Sequence, residues 1–64
     1  MENNLKSLRV EKGYSQEELS KKAAISRPYL SEIENDLSSP SITVCLRLAK
    51  SLGCDLNQIF LDKL

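Results

Sequence analysis

The sequence predicts an all-α domain of five short helices. Three observations carry that expectation. Apolar residues recur at intervals of three and four along the chain, and no stretch alternates with the period of two that a half-buried strand needs. Ser15, Ser26, Ser41 and Asp55 each stand just before such a pattern, with a side-chain oxygen able to accept from backbone N–H groups that lack an intrahelical partner. Gly13 and Gly53 stand where helices should stop, at positions suited to a left-handed residue.

The first helix has Leu5 and Leu8 on one face and runs to about Lys12. Ser15 caps the second helix, residues 16–23, with Glu18 completing a capping box and Tyr14 and Leu19 at the staple positions. Leu19 and Ala23 face inward, Ala24 fits a tight corner because it is small, and Ile25 plugs the angle that follows. Ser26 caps the third helix, residues 27–35, where Pro28 is tolerated because the first-turn N–H groups have no partner to lose. Leu30 and Ile33 bury one face of it, which leaves Arg27, Pro28, Ser31 and Glu32 on the other, and Asn35 ends it. Two helices joined so tightly must cross at a steep angle.

The run "DLSSPS" is a loop, and Ser41 caps a fourth helix whose expected inward residues are Ile42, Cys45, Leu46, Ala49 and Leu52. Asp55 caps a short fifth helix with Gln58 as its box partner, while Cys54 and Ile59 form a second staple. In this last segment Leu56 and Ile59 fit the inward face and Phe60 bridges core and surface. Leu61 and Leu64 are then left as an exposed apolar strip.

A chain of 64 residues is one domain, residues 1–64, with a core small enough that self-association would add useful support. No apolar run approaches a membrane span and no leader pattern opens the chain, so a cytoplasmic protein without a membrane partner is expected. Cys45 and Cys54 have no histidine to join them in a metal site, and are expected as small buried hydrophobes rather than a disulfide. The absence of histidine, of a glycine-rich phosphate loop and of a paired-carboxylate signal argues against an enzyme. No cofactor, metal or small-molecule ligand is expected. Nine basic residues balance nine acidic ones, so attraction to nucleic acid would have to come from local arrangement.

The segments "LRVEKGYSQEELSKKAAISRPYLSEIEN" and "PSITVCLRLAKSLGCDLNQIF", nearly the whole chain, resemble the Cro and phage-repressor type of helix-turn-helix, the xenobiotic-response-element (XRE) family. The resemblance implies a five-helix, phage-repressor-like DNA-binding domain. Its second and third helices would form the helix-turn-helix, the third lying in the major groove while the second spans the backbone. It also implies that Arg9 pairs with Glu34, tying the first helix to the end of the third. Gln16 matches the family glutamine that donates to a DNA phosphate.

On that reading the bases are met by Arg27, Pro28, Ser31 and Glu32. Arg27 can donate twice to guanine or else clamp a phosphate, Pro28 offers an apolar ring to a thymine methyl, Ser31 can reach a base edge or a phosphate, and Glu32 can accept from cytosine N4 or stand as a solvated charge that repels phosphate. Phosphate contacts fall to Gln16, Ser26, Tyr29, Asn35 and Ser38, although Tyr29 could equally shield the core. Many relatives follow Glu-Asn with glycine and then basic residues; here Asp36-Leu37-Ser38-Ser39 replaces them, so a modest dependence on salt is expected. The expected function is a sequence-specific regulator of transcription, a repressor, acting in the cytoplasm on nucleoid DNA. It would bind a palindromic double-stranded operator as a homodimer, with Phe60, Leu61 and Leu64 at the dimer interface. The alternative is a protein-interaction module of the same fold, favoured by the neutral charge and by Glu32, Glu34 and Asp36 around the third helix.

Overall fold

Capping chemistry sets where the helices begin. The computed structural model describes residues 3–60, which form α1 (Leu5–Glu11), α2 (Gln16–Lys22), α3 (Arg27–Glu34), α4 (Ile42–Leu52) and α5 (Leu56–Ile59), with no strand among them. Ser15 Oγ accepts from the Glu18 N–H at 3.0 Å while Glu18 Oε1 accepts from the Ser15 N–H at 2.9 Å, a complete capping box. The Ser15 backbone bond and then its hydroxyl hold the Glu18 carboxyl below the usual carboxylate range. The support this gives α2 is therefore present above that range and is lost as pH falls through the lowered value. Ser26 and Ser41 cap α3 and α4 in the same way, accepting from Tyr29 and Val44 at 3.2 Å. At α5 the Gln58 side chain accepts from the Asp55 N–H at 2.8 Å.

The core is built by Leu5, Leu19, Ala23, Leu30, Ile33, Cys45, Leu48, Ala49, Leu52, Ile59 and Phe60, one or more from every helix and its flank. Tyr14, Ile25 and Tyr29 are half-buried against it, with Ile25 in the turn between α2 and α3. Cys45 is buried and Cys54 half-buried, and they are not joined by a disulfide.

The inward stripe of α4 differs from the expected one. It runs through Cys45, Leu48, Ala49 and Leu52, whereas Ile42 and Leu46 are 63% and 54% exposed. Both sets follow a three-and-four spacing, and Leu48 belongs only to the observed one. Choosing Leu46 over Leu48 rotates the buried face by roughly 200° at that point. Phe60 is likewise corrected: rather than bridging core and surface it is fully buried among the core residues, so it offers no surface to a partner. Leu61 and Leu64 lie outside the described residues.

Ala24 also has a different reason for its place. Its φ of 58° is left-handed and its side chain is exposed, so the corner constrains its backbone rather than its volume. Asp36, at the position following Glu-Asn, occupies the same region with φ 59°. A second clasp at this end comes from Asn3, whose Nδ2 donates to Ile33 O at 2.9 Å and to Asp36 Oδ1 at 2.8 Å. Its Oδ1 accepts from the Leu5 N–H at 3.0 Å, so one side chain starts α1 and ties it to the end of α3.

The observed stripe makes an unequal prediction for two leucines two residues apart on α4. Leu48→Ala should cost about 2–5 kcal/mol in urea unfolding, the penalty for emptying a core site. Leu46→Ala should stay within about 0.5 kcal/mol, as an exposed position does. Equal losses would mean that the buried face is wrongly assigned.

Candidate nucleic-acid interface

The outward face of α3 follows from its helical angles. On an ideal helix Arg27, Ser31, Pro28 and Glu32 fall at roughly 0°, 40°, 100° and 140°. Leu30 and Ile33 fall on the opposite arc, and both are buried. The four base-reading candidates thus share one side, with Arg27, Pro28 and Glu32 exposed and Ser31 half-buried. The proline ring sits in the first turn, where its missing N–H leaves no gap in the helix.

The orientation of that face is held from behind. Arg9 Nε lies 2.7 Å from Glu34 Oε2, and Arg9 Nη2 lies 3.4 Å from Glu34 Oε1. The third arm of the guanidinium donates to Tyr14 O at 2.9 Å. Gln16 Nε2 donates to the same Glu34 Oε1 at 2.9 Å. One carboxylate therefore receives donors from α1 and from the first residue of α2. Its side chain is 1% exposed and that of Arg9 is 10% exposed, so the pair sits in the interior rather than on the surface. With its remaining oxygen capacity met by Gln16, the buried charge has the hydrogen bonds that such a charge requires.

The phosphate candidates divide by what their donors are doing. Gln16 keeps one amide N–H beyond the one given to Glu34, and it stands at the first turn of α2. Ser26 accepts from Tyr29 N, which leaves its own hydroxyl proton available. Tyr29 is half-buried, with its ring against the core. Asn35 turns its amide back along α3, donating to Ser31 O at 2.8 Å and approaching Ser31 Oγ at 3.5 Å. Ser38 Oγ lies 2.6 Å from Glu32 Oε1 and donates its one proton there. In this arrangement Asn35 and Ser38 direct their donors at the protein rather than outward.

Sequence reasoning missed the Gln16–Glu34 bond, the Ser38–Glu32 bond and the Asn3 clasp. Only the last had a local signal, an asparagine two residues before a helix N–H that its side chain can cap. Cations are sparse around α3. Lys22, Arg47 and Lys50 instead line a shallow hollow of about 370 Å³ with Ser51. The Lys22 ammonium also sits 5.3 Å from the Tyr14 ring centroid, close enough for a cation–π contact.

A helix-turn-helix family model matches residues 5–59, which contain both the corner and the clasp behind it. The chain belongs to the XRE-type helix-turn-helix family. It is a DNA-binding regulator of transcription and not an enzyme. YqaF of Bacillus subtilis, an uncharacterized HTH-type transcriptional regulator, is 43% identical over 58 residues, 91% of this chain and 76% of YqaF. The immunity repressor protein of Bacillus phage phi105 is 36% identical over 55 residues, and the match covers 86% of this chain but only 38% of that repressor. Among solved structures, the crystal structure of SinR, the master regulator for biofilm formation, in complex with DNA aligns with a TM-score of 0.83 at 38% identity, covering 92% of this chain and 94% of that one. SinR of Bacillus subtilis is longer as a protein, and the chain spans 54% of it. No helix among the described residues is long and apolar enough to cross a membrane.

The buried carboxylate makes a stability prediction. Arg9→Met strands the Glu34 charge and should cost about 3–5 kcal/mol, as removal of one partner from a buried pair does. Gln16→Leu removes a single bond to that charge and should cost about 1–3 kcal/mol. A double-mutant cycle of Arg9→Met with Glu34→Leu, followed by urea unfolding, measures the coupling. A value within the ~0–1 kcal/mol of an exposed pair would place Arg9 at the surface.

Proposed function

We propose that this chain is a sequence-specific repressor that reads the major groove of double-stranded DNA with α3. The observation that carries the proposal is the exposed arc of Arg27, Pro28, Ser31 and Glu32, aimed by a corner whose back is locked to α1 through Glu34. A rigid helix presenting donors, an acceptor and an apolar ring on one side has the mixture that base edges discriminate. Gln16 and Ser26, at the starts of α2 and α3, add neutral donors where the helix ends already favour an anion. The likeness to SinR in its DNA complex and to a phage immunity repressor supports both the groove-reading and the repressor parts of this reading.

Selection of bound fragments from random duplex DNA tests it. Wild-type protein should enrich one motif. Arg27→Ala should erase a guanine preference, a change worth about 1–3 kcal/mol at that position. Gln16→Ala, which also loses the bond to Glu34 and is compared at equal folded protein, should weaken all sequences alike, since a phosphate contact carries no base information. A protein that enriches nothing at low salt is not a sequence-specific regulator, and a wild-type motif surviving in Arg27→Ala removes that arginine from the reading.

The working unit is proposed to be a homodimer on a palindromic operator. Ile42 and Leu46, one turn apart on α4 and both largely exposed, supply an apolar ridge that a single small domain has no internal use for. Two domains meeting there would address two half-sites about one DNA turn, ~34 Å, apart. Sedimentation equilibrium at micromolar protein should give twice the chain mass, and Leu46→Lys should return it to the monomer without loss of helix content. A monomer mass for wild type, free and bound to DNA, overturns the dimer.

A further inference from the structure

The Ser38 hydroxyl and the Glu32 carboxylate meet at 2.6 Å across the turn that leaves α3. An ionised carboxylate only accepts, so the single serine proton lies between the two oxygens. The separation is that of a charge-assisted bond, stronger than one between neutral groups. We propose that Ser38 is a specificity-positioning residue: it holds Glu32 at the edge of the recognition arc so that the second carboxylate oxygen accepts from an amino group in the groove, cytosine N4 or adenine N6. The proposal rests on the DNA-reading role of α3 given above and adds to it a residue that touches no base.

The anchor point is fixed by backbone. After Glu34 the chain folds back over the helix end, with Leu37 N donating to Glu32 O at 2.8 Å and Asp36 N donating to Ile33 O at 3.2 Å. Asp36 is left-handed, which makes that reversal possible, and its carboxylate is in turn held by Asn3. Ser38 arrives half-buried beside the exposed side chain it holds. Among the described residues no lysine or arginine pairs with Glu32, so the serine is the group that selects its orientation.

Consequences for recognition follow from acceptor chemistry. A carboxylate oxygen offered to the groove is met favourably by the amino groups of cytosine and adenine, and repelled by guanine O6 and N7 or thymine O4. An unheld glutamate can swing away from an unfavourable base and so discriminates less. A glutamate ordered before binding also avoids the loss of side-chain freedom on contact. The same bond removes Ser38 from the set of phosphate donors, because its proton is already directed at Glu32.

The test compares wild type, Glu32→Ala, Ser38→Ala and Ser38→Thr by selection from random duplex DNA. Glu32→Ala identifies the base pair that the carboxylate reads. At that pair Ser38→Ala should lose about five-fold or more of the cytosine or adenine preference, with affinity for non-specific duplex held within about two-fold. Ser38→Thr keeps the hydroxyl and should keep the preference. A wild-type motif that persists in Ser38→Ala overturns the proposal, and uniformly weaker binding to all sequences would make Ser38 a phosphate ligand and overturn it too. Side-chain couplings of Glu32 in the free protein give a separate readout: one rotamer in wild type and averaging in Ser38→Ala are expected. Averaging already in wild type sinks the positioning role while leaving the reading by α3 intact, whereas failure of wild type to enrich any motif removes that reading itself.

Discussion

The setting of α3 against α1 and α2 depends on the Glu34 carboxylate. It lies at the end of α3, yet it receives the guanidinium of α1 and the amide that opens α2. A buried carboxylate left short of donors is unstable enough to drag the surrounding helices out of place. With both oxygens occupied, the same group converts three separate helices into one body. The interaction is therefore chiefly one of geometry: an apolar substitute could fill the space, but it would not dictate the angles at which donors must arrive. Gln16 belongs to this clasp and also stands at the start of α2, so the phosphate contact proposed for it and the setting of α3 would share one side chain.

Charge balance shapes the rest. With nine cations and nine anions the chain has no excess to draw it toward a polyanion. Three of the cations, Lys22, Arg47 and Lys50, gather around a hollow between α2 and α4 rather than on α3. The arc itself combines Arg27 with Glu32, and Asp36 follows close behind. A surface of this kind gains little from counterion release and must earn its affinity from donors placed correctly. Rigidity at the back of α3 and order in its exposed side chains then matter more than they would for a basic protein.

The helix starts were legible because caps are local: a serine or aspartate and the N–H it accepts from lie within three residues of each other. The corner between α2 and α3 was legible for the same reason, as were Gly13 and Gly53 in their left-handed positions. The buried face of α4 was not. Ile42, Leu46 and Leu48 are all apolar, and spacing alone allows more than one stripe through a helix of eleven residues. Phe60 misled because its burial depends on how the chain leaves α5, which no local pattern states. The contacts that finish the site join residues far apart or across a turn: Gln16 with Glu34, Asn3 with Asp36, Ser38 with Glu32. Arg9 and Glu34 were reached through family resemblance alone, since a lone arginine on a helix reads as a surface cation.

Among the described residues, the two non-glycine residues with positive φ bracket α3, Ala24 before it and Asp36 after it. Each left-handed residue costs about 1–2 kcal/mol relative to ordinary backbone. At Ala24 the sharp reversal brings Ser26 into position to cap α3 and packs Ile25 into the angle. At Asp36 it ends α3 and carries the chain back to Ser38, while Asn3 holds the aspartate from the other side. A straight continuation at either point would lengthen the helix and lose the partner that fixes its end. The helix that carries the proposed reading face is in this way held at both termini, as a surface that had to meet a rigid duplex in one orientation would need.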